Sequence, residues 1–184
     1  MDYKSKTYGR NDEVKAIFDL LAGGHDISMP GPRRLGKTFL LDRLVAAAPS
    51  RGWQAVKVEL AGLQDARAVL RVLCEEVSSH HGGGERIWLW LRQRFGQVVA
   101  PRSDTSGRWY QALLGLDHET WFERLIRALD GDGNQRWVLL IDELPIFLKA
   151  LHDRGPDGIA HARNFMNLTS RLRQTGPRVR WLVT

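Results

Sequence analysis

The sequence predicts an α/β fold, a three-layer sandwich built on a mainly parallel sheet, and three observations carry that expectation. Segments short enough for strands alternate with segments whose apolar residues recur at helical spacing, which implies right-handed crossovers and helices on both sheet faces. One strand segment, Val138 to Ile141, is apolar without interruption, as in a strand buried on both faces, and ends on two acids, Asp142 and Glu143. A glycine-flanked turn, Gly31 to Thr38, stands between a short strand and a helix.

In chain order, Val14, Ile17, Phe18 and Leu21 recur at helical spacing after Asn11, which is expected to cap the first turn. Asp12 and Glu13 are favoured there by the helix dipole. This helix is expected to end at Gly23-Gly24. Asp26 to Met29 reads as a short strand broken by Pro30-Gly31-Pro32. Phe39, Leu40, Leu41, Leu44, Val45 and Ala48 then mark a helix that begins near Lys37 and stops before Pro49. Val56, Val58 and Leu60 alternate with Ala55, Lys57 and Glu59, the pattern of a strand wet on one face and near a sheet edge, with Lys57 and Glu59 pointing outward. Ala66, Val69, Leu70, Leu73 and Val77 give a helix to about His80.

Beyond Gly82-Gly83-Gly84, Ile87 to Leu91 suits a strand by alternation and a helix by continuation to Phe95, Val98 and Val99; a helix is expected. Residues 100 to 117 read as loop, and 82–117 as a variable insertion. Trp121, Phe122, Leu125, Ile126 and Leu129 mark a helix ended by Gly131, Asp132 and Gly133. After Pro145 a short helix is expected over Ile146 to Leu151, a longer one from about Gly158 to Gln174, and a last strand from Val179 to Thr184.

Composition narrows the function classes. With 184 residues, 43% of them hydrophobic, the chain is expected to form one globular domain that buries roughly 70% of its unfolded surface without a disulfide or metal staple. No apolar run approaches the roughly 20 residues of a membrane helix, and Met1 to Glu13 is charged throughout, so no secretory signal and a cytoplasmic location are expected. The single cysteine, Cys74, fits a small buried hydrophobe. His118-Glu119-Thr120-Trp121-Phe122 misses the zincin pattern at its last position, and His80 and His81 point to different helix faces, so zinc is unsupported. No Ser or Cys stands in a nucleophile-elbow context. Trp121, Trp137 and Trp181 suit packing better than base stacking.

Gly31-Pro32-Arg33-Arg34-Leu35-Gly36-Lys37-Thr38 matches G-x-x-x-x-G-K-[ST] at every fixed position. The glycines let backbone amides converge on phosphate oxygens, the Lys37 ammonium neutralises terminal phosphates, and the Thr38 hydroxyl reaches Mg²⁺; the helix adds its positive end. Asp142 and Glu143 stand at the carboxyl end of a buried strand, where two acids are costly unless they meet a cation or water. Asp142 would hold Mg²⁺ with Thr38, and Glu143 would orient and polarise the attacking water. The turn and the acid pair are expected to face each other across neighbouring strand tips.

With these motifs placed, the chain resembles an AAA+-type P-loop ATPase, and within that superfamily the archaeal-type ATPases of the STAND group. The likeness rests on YGRNDEV (Tyr8 to Val14), GPRRLGKT (Gly31 to Thr38), VLLIDELP (Val138 to Pro145) and RVRWLVT (Arg178 to Thr184). It implies a Walker A motif at Gly31 to Thr38, with nucleotide contacts reaching Phe39, and a Walker B motif ending in the magnesium aspartate Asp142 and the catalytic glutamate Glu143. It also implies that Tyr8, Gly9 and Arg10 lie near the adenine. Thr184 falls at the position of the sensor 1 residue, but as the last residue it is expected to be frayed. The implied sheet order is 5-1-4-3-2. The fifth strand and helical lid would lie beyond residue 184, leaving Asp26 to Met29 as an exposed edge able to associate with a protein partner or another copy.

The function expected is Mg²⁺-dependent ATP binding and hydrolysis that drives a conformational or regulatory switch. The alternative is an origin-recognition-like module with little turnover that holds DNA through Arg171, Arg173, Arg178 and Arg180, with Arg163 upstream. The net charge of +6 permits this, although basic residues are mostly scattered along the chain.

Overall fold

The computed structural model describes residues 10–80, 118–131 and 135–184, apart from positions 33 and 177. Tyr8, Gly9, Arg33 and the expected insertion at 82–117, with its helix from Ile87, lie outside the described residues. The elements are α1 (Asn11–Ala22), β1 (Ile27–Ser28), α2 (Lys37–Ala47), β2 (Trp53–Glu59), α3 (Ala66–His80), α4 (His118–Asp130), β3 (Arg136–Asp142), α5 (Leu144–His152), α6 (Pro156–Thr175) and β4 (Val179–Val183).

All strand pairings are parallel, in the order β1-β4-β3-β2. Parallel strands joined by helices put helices on both faces, and the core accordingly divides in two. On one face, Val14, Ile17, Phe18 and Leu21 of α1 and Leu40, Leu41 and Leu44 of α2 pack against Trp53, Ala55, Val138, Leu140 and Leu182. On the other, α3, α4, α5 and α6 cover Val56, Val58, Trp137, Leu139, Ile141, Val179 and Trp181. Residues of one parity along each strand therefore serve one face, and their neighbours serve the other. Among the described residues β1 lies at one edge of the sheet, as expected, and β2 at the other.

Several boundaries and contacts differ from expectation, each for a physical reason. Asn11 does not cap α1: Arg10 occupies the cap position, and the Asn11 Oδ1 instead accepts a hydrogen bond from Arg43 at 2.7 Å. The face of β2 that carries Ala55 and Lys57 is covered rather than wet, because α2 lies on it. Ala55 is buried, and the Lys57 ammonium is 2.5 Å from Asp42 of α2, leaving Glu59 as the exposed member. Helix α5 starts at Leu144, ahead of Pro145, because a proline in the first turn forfeits no intrahelical bond.

The α5–α6 corner depends on one glycine. A Cβ at Gly158 would stand 1.9 Å from the Leu151 carbonyl oxygen and 2.8 Å from the Arg154 Cβ, so the backbone of α6 approaches the end of α5 where no other residue fits.

Candidate functional site

The loop from Gly31 to Gly36 leads from β1 into α2. Gly36 takes the left-handed conformation at φ 72° as the residue before the helix, and Arg34 does so at φ 66° without being glycine. No side chain caps α2, so its first amides are left to a ligand or solvent, the arrangement that favours an anion. The Lys37 ammonium folds back on the loop, donating to the carbonyls of Gly31 at 2.6 Å and Pro32 at 2.9 Å. Thr38 and Phe39 are exposed at the start of the helix, and Leu35 at the loop tip.

Arg10 buttresses this loop. Its guanidinium donates to the Leu35 carbonyl at 2.6 Å and the Gly36 carbonyl at 3.2 Å, and lies 3.5 Å from Glu13. A Cβ on Gly36 would come within 3.3 Å of the same guanidinium, so glycine is suited to this position by both its φ and its neighbour.

At the carboxyl end of β3, Asp142 is 1% exposed. Its Oδ1 accepts from the Thr184 hydroxyl at 2.5 Å and from the Glu143 amide at 3.1 Å. Its Oδ2 is buried and has no hydrogen-bond partner among the described residues. A carboxylate oxygen in that setting carries a desolvation cost that a cation or a water would offset, so the donor set fits a hard divalent ion. Glu143 is partly exposed and left-handed at φ 60°, an uncommon conformation for a non-glycine residue, and turns the chain sharply from strand to α5.

Thr184 is not frayed. Its amide donates to the Ile141 carbonyl at 2.9 Å, its carbonyl accepts from the Leu144 amide at 3.1 Å, and its hydroxyl bonds Asp142. These partners, from β3 and the start of α5, hold it 7% exposed, one residue beyond the end of β4. The chain position alone gave no sign of this.

The loop strand and the acid strand are not neighbours either. β4 runs between them, with Val183 in register with both Ser28 and Ile141. Two strand spacings, about 10 Å, therefore separate the tips of β1 and β3, and Thr184 stands at the tip between. Asp142 has the parity of Val138 and Leu140, which pack under α2, and Thr184 has that of Leu182. Both side chains thus belong to the sheet face covered by the helix that follows the loop. Glu59 of β2, in register with Asp142, ends the row at the sheet edge.

The arginines grouped by sequence separate in space. Arg171 of α6 is pinned by Glu119 at 3.0 Å and Glu123 at 2.9 Å on α4, whereas Arg178 and Arg180 stand at the start of β4. Cys74 is buried, and burial pushes its thiol up to about 12. Trp137 and Trp181 are core residues. Among the described residues no cluster of three His, Cys, Asp or Glu side chains could hold a metal, and no helix is long and apolar enough to cross a membrane.

No family model matches the sequence, and no curated protein matches it. Two solved structures are similar in fold. One is the ORC2 protein of Aeropyrum pernix in ADPNP-ADP complexes, with TM-score 0.52 and 14% identity over 97% of this chain and 41% of that one. The other is Cdc6p of Pyrobaculum aerophilum, with TM-score 0.53 and 13% identity over 97% of this chain and 39% of that one. The chain thus spans about two fifths of the length of each, and at these identities the likeness is one of fold.

Proposed function

We propose that residues 1–184 form an ATPase core of the AAA+ and STAND type, which binds ATP with Mg²⁺ and hydrolyses its terminal phosphoanhydride to drive a conformational switch. The observation that carries this reading is the buried Asp142, paired with Thr184 and holding one partnerless oxygen on the sheet face covered by the phosphate-loop helix. The Aeropyrum protein's ADPNP-ADP complexes favour an adenine nucleotide.

In this reading the amides from Gly31 to Thr38, with Arg33 and Arg34 flanking them, cradle the phosphates. Lys37 exchanges its bonds to Gly31 and Pro32 for the terminal phosphates. Thr38 and Asp142 would hold Mg²⁺, which when bound supplies charge neutralisation at the phosphate oxygens. Glu143, partly exposed and next in the chain to Asp142, would orient the attacking water and accept its proton. Thr184 fixes the Asp142 carboxylate by donating to its Oδ1, and would act as the sensor of the terminal phosphate. Arg10 fixes the end of the loop, and Tyr8, Gly9, Arg10 and Phe39 form the adenine side. The β1 edge is the surface for a protein partner or a second copy.

Lys37→Ala should raise the nucleotide dissociation constant by about 10- to 100-fold or more. Glu143→Gln should keep binding and lose turnover by about 10²- to 10⁴-fold. Calorimetric titration with Mg·ATP and a phosphate-release assay measure the two. Parent-rate hydrolysis by Glu143→Gln would remove the water-activating role. Binding with no turnover in the parent chain would favour the origin-recognition-like alternative, and a parent that neither binds nor is thermally stabilised by Mg·ATP would remove both.

A further inference from the structure

The sheet face under α3 to α6 holds a cavity of about 190 Å³ whose lining draws on all four strands. Its floor is one row across the sheet, because Ser28 is in register with Val183, Val183 with Ile141, and Ile141 with Val58. Three strand spacings, about 14 Å, separate the ends of that row. Met166, Thr169 and Arg173 of α6 lie on the helical side, and Leu73 of α3, the helix packed on β2, stands at the inner end with Phe122 of α4.

Polarity changes along the row. Val58, Ile141, Leu73 and Phe122 are buried, whereas Ser28 and Arg173 are the exposed members of the lining, so the cavity opens at the β1 edge and ends in apolar core. Among the described residues no acid lines it. Arg173 has neither an ion-pair nor a hydrogen-bond partner among the described residues, in contrast to Arg171, which Glu119 and Glu123 hold. Thr169, one turn before Arg173, donates to the Met166 carbonyl at 3.0 Å. Asp26 keeps its full charge two residues before Ser28, where it accepts from the Trp181 amide at 2.9 Å, so the mouth is no broad positive field. What it offers is one guanidinium fork with its donors open.

We propose that this cavity binds a small amphiphile with one unbranched hydrocarbon chain and a carboxylate head, the chain lying along the floor row and the head on the Arg173 fork. A dry apolar cavity of about 150 Å³ takes up a compact ring such as benzene. A comparable volume drawn out along the row admits a chain instead. Each methylene that enters leaves water and gains contacts with the walls. A planar guanidinium bonds a carboxylate in bidentate fashion and keeps its charge at physiological pH, and Ser28 adds a hydroxyl at the same end. The cavity lies on the sheet face opposite α2 and does not rest on the nucleotide reading.

The test is calorimetric titration of the full chain with straight-chain carboxylates from hexanoate through decanoate to longer members, each below its micelle concentration. Affinity should rise about fourfold per added methylene and stop rising once the chain outgrows the cavity; a rise without a break would overturn the site. Arg173→Gln should weaken decanoate at least about tenfold and leave uncharged decanol unchanged. Arg163→Gln, which removes the same charge elsewhere on α6, should leave both near the parent. Equal loss in the two variants would overturn the assignment of the head to Arg173. Leu73→Trp, which fills the inner end, should abolish binding of both compounds. Should that variant unfold, decanoate brominated at its terminal carbon decides: it should quench the tryptophan fluorescence of the parent, and less so in Trp181→Phe, whose substituted ring lines the cavity. Quenching that Trp181→Phe leaves unchanged would overturn the proposal. So would a parent that binds no decanoate, and if sedimentation then showed a stable dimer, the mouth would belong to a second copy of the chain.

Discussion

The two faces of the sheet are built from the same strands yet do different work. Under α1 and α2, each residue parity that begins with an arginine at the strand entrance passes through an apolar middle and ends on a polar group, as in Arg136, Val138, Leu140 and Asp142. Under α3 to α6, the alternating positions Trp137, Leu139 and Ile141 are apolar throughout. A parallel sheet covered on both sides has a dry interior everywhere except at its strand ends, so polar chemistry is confined to those ends. In β3 and β4 the polar ends lie on one face, while Gln54 of β2 and Ser28 of β1 stand on the other. Residues one position apart should therefore fail in different ways when substituted.

The sharpest separation, and the largest effect, is expected within three residues of β3. Asp142→Asn removes the anionic oxygen while keeping the shape, and should cut Mg²⁺-dependent turnover by at least about 100-fold with little change in unfolding midpoint. Leu139→Ala, fully buried on the other face, should lose about 2 to 5 kcal/mol of stability while the folded protein retains its nucleotide affinity. Denaturant titration and a phosphate-release assay measure both variants. If Leu139→Ala abolished nucleotide binding while still folded, the separation of faces would be wrong.

Next in size is the corner that closes the packed face. Gly158→Ala forces a methyl against the Leu151 carbonyl, only 1.9 Å from the ideal Cβ position, and this backbone contact cannot yield by a rotamer change. A loss of about 1 to 3 kcal/mol is expected. An unchanged melting temperature would show that α5 and α6 shift apart without penalty.

How much of this was legible in the sequence depended on whether a residue's partner was near in the chain. Helical spacing located α1, α2, α3, α4 and α6 because a helix satisfies its own backbone and advertises its buried face locally. The uninterrupted apolar run found β3, but not its start at Arg136, which is set by pairing with Trp53 more than eighty positions earlier. The glycine-flanked loop from Gly31 to Thr38 was readable as a motif because its glycines, lysine and threonine are contiguous. Arg10's grip on Leu35 and Gly36, and Thr184's bond to Asp142, were not, since each joins residues at least 25 positions apart. The acid pair and the loop were rightly assigned to strand tips at one end of the sheet. Their separation by β4 had been implied by the resemblance alone, and the simpler picture of adjacent tips failed.

Cys74 tests the packed face by pH. Burial raises its thiol from 9.0 to about 12, with Glu75 adding to the shift, so folding favours the neutral, protonated form. The corresponding stability is complete below pH 9 and is lost as pH rises through about 12, at a rate near 1.4 kcal/mol per pH unit between those limits. Cys74→Ala lacks the titration, so the difference in unfolding free energy between parent and variant should narrow steadily above pH 9. A constant difference across that range would mean that solvent reaches the thiol.

The smallest effect should come from the ion pair on the face that α1 and α2 cover. Lys57 and Asp42 approach to 2.5 Å, but their side chains are 21% and 59% exposed, so water and salt screen the attraction and both long side chains lose freedom in making it. Lys57→Ala should therefore change stability by less than about 1 kcal/mol, and the change should shrink further in high salt. The apolar contacts of Leu40, Leu41 and Leu44 with Val138, Leu140 and Leu182 would then hold α2 in place by themselves. A loss of several kcal/mol, diminishing with salt, would mean instead that charge fastens α2 to the sheet, and that the polar end of this face supports the fold.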